Sequence, residues 1–271
     1  MGLGMLPNEE FVQKILESRK YRDLHLPAET IRDLIRQESA RYSDTRRMQE
    51  SVRRKLHQLT APYLGDPNYE KELDTLRTIY DPIVLESFAD RMLAAHTSTR
   101  ERQPYLQAFY QTLFQAVGTP HSVLDLACGL NPFALPNMGL DRNVRYSAYD
   151  IHLPRIRLLN AFFERAAFPQ AHAKQRDILI DPPTQKAEVA LFFKEAHRLD
   201  QHRKGSNRIL WDALQVNTLL VSLPCRDIGK THDLRERMRR LVMENLEGKT
   251  WLVDEIAFED EIVFCIHKGA G

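Results

Sequence analysis

Ser122-Val-Leu-Asp-Leu-Ala-Cys-Gly-Leu-Asn-Pro132 decides the reading of the fold. Val123, Leu124 and Leu126 form a short apolar run that reads as a buried strand. Gly129 ends the run and Pro132 blocks regular continuation. A strand stopping at a glycine in an α/β domain is where backbone can approach a ligand closely. The next strand candidate, Val144-Arg-Tyr-Ser-Ala-Tyr149, runs directly into Asp150. Its carboxylate stands about 20 residues past the glycine, where a nucleotide site needs an acceptor for ribose hydroxyls. The turn has one glycine rather than a dinucleotide fingerprint, and Asn131-Pro132 follows where a phosphate cradle needs free N–H groups. NAD is therefore disfavoured, and a nucleoside without a pyrophosphate fits better. A strand, a turn and a surface Asp with no ligand is the competing reading of the turn alone.

Working outward, the chain alternates strand and helix from residue 121 on. Strand candidates are 122–127, 144–149, 188–193, 217–223, 250–258 and 261–267, with a short third strand before Asp177. Helix candidates are 153–167, 206–215 and 231–247. This is the rhythm of a mostly parallel sheet, and Glu259-Asp260 is a connection tight enough for an antiparallel pair at its edge. Gly129, Asp150 and Asp177 would then share the carboxyl edge of the strands, where such sheets bind ligands.

Residues 8 to about 115 read as helices. Asn8 opens the first, Pro27 precedes the second, Ser43-Asp44 start the third and Pro62 stops it. Asp66-Pro67 and Asp81-Pro82 punctuate the next two. Basic residues concentrate here: Arg19, Lys20 and Arg22 after the first helix, and Arg46, Arg47, Arg53, Arg54 and Lys55 along the third. Arg46 and Arg53 are about two turns apart, as are Arg47 and Arg54, giving a double basic stripe roughly 10 Å long suited to successive phosphates. A solvated helix face is the alternative.

The 271 residues suffice for one large domain or two small ones, and the formal charge of +1 leaves any nucleic-acid attraction to local charge distribution. Cys128, Cys225 and Cys265 lack metal-binding spacing and suit reduced thiols in a cytoplasmic protein. No apolar run approaches the ~20 residues of a membrane span. Met1-Gly-Leu-Gly-Met-Leu6 resembles neither a signal peptide nor a myristoylation site.

Three further stretches carry candidate chemistry, each with a structural alternative. In His96-Thr-Ser-Thr-Arg-Glu-Arg102, Ser98 or Thr99 suits a helix cap, while Arg102 suits a bidentate grip on a ligand carboxylate. Asp177 suits an adenine amino group with Ile178 against the ring, or a surface cap. Arg226, ending Val221-Ser-Leu-Pro-Cys-Arg226, suits guanine or phosphate, or a buried ion pair.

Leu124-Asp-Leu-Ala-Cys-Gly-Leu-Asn-Pro132, Tyr149-Asp-Ile-His152, the 96–102 stretch and the 221–226 stretch occur in one order, with weaker similarity at Ser18-Arg-Lys-Tyr-Arg22. Together they resemble the aminoglycoside-resistance 16S rRNA methyltransferases that modify guanine N7 in the decoding site. The resemblance implies a class I (Rossmann-like) methyltransferase domain over 96–271, with a seven-stranded, mostly parallel sheet. It implies an all-helical, rRNA-docking domain over 1–95 and S-adenosyl-L-methionine as cofactor. His96, Ser98, Arg102, Ala127, Gly129, Asp150, Asp177 and Ile178 would bind the cofactor, with Arg102 on the methionine carboxylate. Lys20, Arg22, Arg46, Arg47, Arg53, Arg54, Lys194 and Lys230 would contact RNA, and Arg226 would position the target guanine. The expected partner is 16S rRNA in the 30S subunit, approached by a monomer, and no general base is expected. The chain departs from the family after Arg226 (Asp227-Ile-Gly-Lys230) and after Lys194 (Glu195-Ala-His-Arg198). These departures keep open a methyltransferase for another rRNA position or a small molecule, or a non-catalytic RNA-binding or assembly protein.

Overall fold

A computed structural model describes residues 7–61, 66–226 and 231–269. Helices come first: α1 Pro7–Leu16, α2 Ala28–Ser39, α3 Thr45–Thr60, α4 Tyr69–Arg77, α5 Pro82–Ala94, α6 Thr97–Arg100 and α7 Leu106–Val117. Then follow β1 Ser122–Leu126, β2 Arg145–Asp150, α8 Leu153–Arg165, β3 Ala171–Gln175 and β4 Ala187–Phe193. The chain continues with α9 Ala196–His202, α10 Ser206–Ala213, β5 Val216–Pro224, α11 Arg235–Leu246, β6 Leu252–Ala257 and β7 Glu261–His267.

Local chemistry sets the helix starts. The Asp44 carboxylate accepts from Arg47 N at 2.7 Å and caps α3. Asp81 caps α5 ahead of Pro82, whose missing N–H costs nothing in the first turn. The expected Ser98 or Thr99 cap is corrected: His96 occupies the cap position of α6, and its side chain makes no capping bond to the helix N–H groups. The Thr99 hydroxyl instead donates back to Leu93 O and His96 O, at 2.5 and 3.1 Å, closing the exposed end of α5.

The sheet has the order β3-β2-β1-β4-β5-β7-β6. β1 to β5 pair in parallel, while β7 runs antiparallel to both β5 and β6, so the sheet is mixed. Phe258 N donates to Glu261 O at 2.8 Å and closes the β6–β7 hairpin around Glu259-Asp260. Strand order reverses between β1 and β4, the position where open α/β sheets place their ligand crevice.

The period of two along each strand separates two apolar layers. Val123, Val189, Leu191, Phe193, Leu220 and Val263 face one cluster with α4, α5, α7 and α8. Leu124, Leu126, Ala190, Phe192, Leu219 and Phe264 face the other with α9, α10 and α11. A third cluster holds α1, α2 and α3 together around Val12, Ile31 and Val52, and touches the rest through Ile151. Residue 95 therefore does not separate the apolar clusters, because Phe88, Met92 and Leu93 of α5 pack with the sheet.

Helix α9 was not anticipated, since Ala196 and Leu199 alone provide its buried apolar face. The helix expected over 231–247 begins later, at Arg235. No described helix is long and apolar enough to cross a membrane.

Candidate functional site

A cavity opens at the carboxyl edge of β1, β2 and β4, where the strand order reverses. Its wall includes His96, Ser98, Arg102, Ala127, Gly129, Asp150, Asp177 and Ile178. These residues come from four separate stretches of sequence, and the sheet brings them together.

Leaving β1, the backbone turns left-handed at Ala127 (φ 48°) and again at Gly129 (φ 54°). Such a conformation strains an ordinary residue, and strain of this kind concentrates at ligand sites. A Cβ built on Gly129 meets Arg155 Nη1 at 3.9 Å, so the dihedral rather than crowding is what calls for glycine. Gly129 N donates to Asp150 Oδ2 at 3.1 Å, fastening the turn to the end of β2.

Asp150 is 4% exposed. Its Oδ1 accepts from His152 N at 2.9 Å, and its Oδ2 also accepts from Arg155 Nη1 at 2.7 Å. Burial works to raise the carboxyl, but Arg155 and the His152 N–H outweigh it and hold Asp150 below the usual range. Asp150 is thus a fixed anion. A carboxylate has about four acceptor positions, and these three donors leave one on Oδ1 for a ligand hydroxyl. Arg155 also donates to Asp66 Oδ2 at 2.6 Å and to the Tyr69 hydroxyl at 3.0 Å. It ties α8 to the start of α4 beneath the cavity. Sequence reading missed this residue, although its position one turn into the helix after Asp150 was a usable signal.

The structure corrects the expected open fork of Arg102. Its side chain is 1% exposed, and Nε and Nη2 bind Glu261 at 2.6 and 2.9 Å. Nη2 also donates to Ser222 Oγ and Nη1 to Asn131 Oδ1, each at 3.2 Å. The guanidinium lies over Phe109 and Phe193. Four of its five N–H groups are engaged, and the bidentate face is already taken by Glu261. A single N–H on Nη1 is left for a ligand.

Asp177 Oδ2 accepts from the Thr30 hydroxyl at 2.8 Å, and Oδ1 from Leu179 N at 3.1 Å. Burial pushes this carboxyl up, against the hydroxyl bond from Thr30. Thr30 lies on α2, so the helical segment before the sheet forms part of the cavity wall, with Asp33 and Gln37 beside it. That long-range contact has no signature in the sequence. His96 Nδ1 meets Ser98 Oγ at 3.2 Å. Asp125, in the middle of β1, also lines the cavity and was missed. Burial drives its carboxyl up to about 7 despite bonds from Asn131 and Tyr146. Glu195, after β4, lines the opposite side with Phe193 and Arg198. Burial raises it to about 7 against the pull of Arg198.

The basic candidates divide. Lys20, Arg22, Arg46, Arg47, Arg53 and Arg54 are all exposed, and the last four lie along α3 as the helical spacing required. Lys194, expected at the RNA surface, is instead 9% exposed, and its ammonium binds Glu101 at 2.5 Å. A Lys directly after a buried strand is drawn inward by the pairing available there. Arg226 is exposed, forms an isolated bridge with Asp233 and lies outside the cavity wall. Lys230 falls outside the described residues. Among the described residues no His, Cys, Asp and Glu cluster is arranged to hold a metal ion.

A family model described as ribosomal RNA methyltransferase (FmrO) matches residues 17–265. A 16S rRNA (guanine(1405)-N(7))-methyltransferase of Frankia casuarinae is 29% identical, with 98% of both chains covered. One of Micromonospora olivasterospora is 30% identical, over 95% of this chain and 87% of its own. The solved structure of the 16S rRNA methyltransferase RmtF, in complex with S-adenosyl-L-homocysteine, is similar with a TM-score of 0.79. It is 26% identical and covers 98% of this chain and 100% of its own. The motifs, the strand order and these matches agree, and the chain belongs to the ribosomal RNA methyltransferase (FmrO) family.

Proposed function

We propose that this chain transfers a methyl group from S-adenosyl-L-methionine to N7 of guanine 1405 of 16S rRNA, as its named relatives do. The observation that carries the reading is the cavity at the strand-order reversal, which combines the left-handed 127–129 turn with the Asp150 anion. These residues fit an adenosyl group. The turn admits close backbone approach, Asp150 keeps an acceptor for a ribose hydroxyl, and Asp177 with Ile178 suits the adenine edge and face. His96 and Ser98 complete the wall, and the remaining Arg102 N–H serves the methionine carboxylate with one hydrogen bond.

Bound S-adenosylmethionine supplies an electrophilic methyl group that N7 attacks with its lone pair, while the carbon–sulfur pair departs with sulfur. N7 carries no proton, so the residues of this chain have no base catalysis to perform. Their task is alignment of a flipped guanine at near-attack distance. Arg226, exposed where β5 ends, contacts the target nucleotide from outside the cavity. The segment up to residue 95 docks the rRNA through Lys20, Arg22 and the basic face of α3. The substrate is the assembled 30S subunit, met in the cytoplasm by a monomer, and the phenotype is aminoglycoside resistance.

Two results test this. Charge reversal at Arg53 and Arg54 should slow methylation of 30S subunits roughly ten- to hundredfold and flatten its salt dependence. Cofactor affinity should stay unchanged, and unaltered subunit methylation would remove α3 from the docking surface. Thr30→Val leaves Asp177 one hydrogen bond short, and calorimetry should show S-adenosylhomocysteine binding about tenfold weaker. Wild-type affinity in that variant would separate α2 from the cofactor site.

A further inference from the structure

The cavity contains a charged pair that is not among the cofactor residues named above. Glu195 and Arg198 follow β4, the strand next to β1, and both line the cavity. Glu195 Oε1 accepts from Arg198 Nη1 at 2.7 Å. Among the described residues no donor bonds Oε2. The two side chains are 23% and 26% exposed, partly withdrawn from water yet open toward the cavity. β4 is hydrogen-bonded to β1, so a base placed against Glu195 lies beside the nucleoside held at the end of β1. Phe193, from the same strand end, supplies an aromatic wall.

We propose that Glu195, supported by Arg198, reads the Watson–Crick edge of the target guanine. The inference rests on the reading of the chain as a guanine-N7 methyltransferase. Guanine presents two adjacent donors, N1–H and the N2 amino group, next to one acceptor, O6. A carboxylate beside a guanidinium is the complement of that edge. Adenine offers the reverse pattern, with an acceptor at N1, and meets an unpaired carboxylate. This grip leaves N7, on the neighbouring Hoogsteen edge, free for attack.

The pair suits the product as well as the substrate. Methylation places a positive charge on the purine ring and increases the acidity of N1–H. A carboxylate already accepting from N1–H and N2–H stabilises that charge as it develops. No proton has to move. Hydrogen bonds from the base and from Arg198 both favour the ionised form of Glu195 in the complex. The family resemblance gave no hint of the pair, because Glu195-Ala-His-Arg198 is where this chain departs from the family pattern.

The test uses the full-length protein with 30S subunits reconstituted with either guanine or inosine at the target position. Inosine keeps N1–H, O6 and N7 but lacks the N2 amino group. Wild type should bind and methylate guanine subunits roughly tenfold better than inosine subunits. In Glu195→Gln, guanine methylation should fall about ten- to hundredfold, the guanine-to-inosine ratio should approach one, and S-adenosylhomocysteine affinity should stay within about twofold. A wild type that treats the two subunits alike overturns the inference, with no variant required. A Glu195→Gln enzyme that is slow but keeps its preference for guanine overturns it too, assigning Glu195 a structural role. Absence of methylation on either subunit by wild type overturns the underlying function.

Discussion

Asp150→Ala is expected to weaken S-adenosylhomocysteine binding about a hundredfold. The carboxylate does two things at once. In the proposed function its remaining acceptor position on Oδ1 takes a ribose hydroxyl, and a charge-assisted bond of that kind contributes about 1.5–3 kcal/mol. Its Oδ2 holds Gly129 N at 3.1 Å, so its loss also frees the 127–129 turn that forms the floor of the site. About 2.8 kcal/mol in total corresponds to a hundredfold. Some stability is lost with it, because Arg155 gives up one buried partner, but the 2.6 Å bond to Asp66 keeps that guanidinium paired. Calorimetric titration of the folded variant, checked by thermal melting, measures the effect. Unchanged affinity would remove Asp150 from the cofactor site.

Glu261→Ala is expected to be the most destabilising single change near the cavity. Arg102 is 1% exposed, and Glu261, 0% exposed, is its only carboxylate partner among the described residues. Removing one member of such a pair leaves a buried charge without compensation, which costs about 3–5 kcal/mol. For a chain of this size that lowers the melting temperature by roughly 10 °C. Asn131 Oδ1 and Ser222 Oγ still accept from the guanidinium but carry no charge to oppose it. Replacing both partners together, Arg102→Met with Glu261→Leu, should cost much less than the sum of the single changes. Urea unfolding of Glu261→Ala, of Arg102→Met and Glu261→Leu singly, and of the double variant measures this. A near-wild-type Glu261→Ala would mean that Arg102 reaches water or another anion, and would restore it as an open carboxylate receptor.

Much of this was legible in the chain. β1 announced itself as a short apolar run stopped at Gly129, because a strand covered on both faces favours hydrophobic sequence, and β2 as a strand candidate running into Asp150. The closing hairpin followed from two β-rich runs two residues apart. Arg53 and Arg54 were placed on an exposed face by helical spacing alone. Residues whose roles depend on distant partners were not legible. Nothing near Arg102 announces Glu261, which lies 159 residues away. Thr30 reaches Asp177 across 147 residues. The resemblance implied an RNA contact for Lys194, while its pairing with Glu101 had no sign in the sequence. The packing of α4 and α5 into the apolar layer beneath the sheet was equally invisible in the sequence.

The most direct test of the central claim is the transfer of labelled methyl groups from S-adenosylmethionine to unmodified 30S subunits, followed by chemical cleavage at N7-methylguanine. One labelled base is expected, guanine 1405, cleaved as an N7-methylated purine. Label at any other base, or label at that guanine that resists N7-specific cleavage, would contradict it.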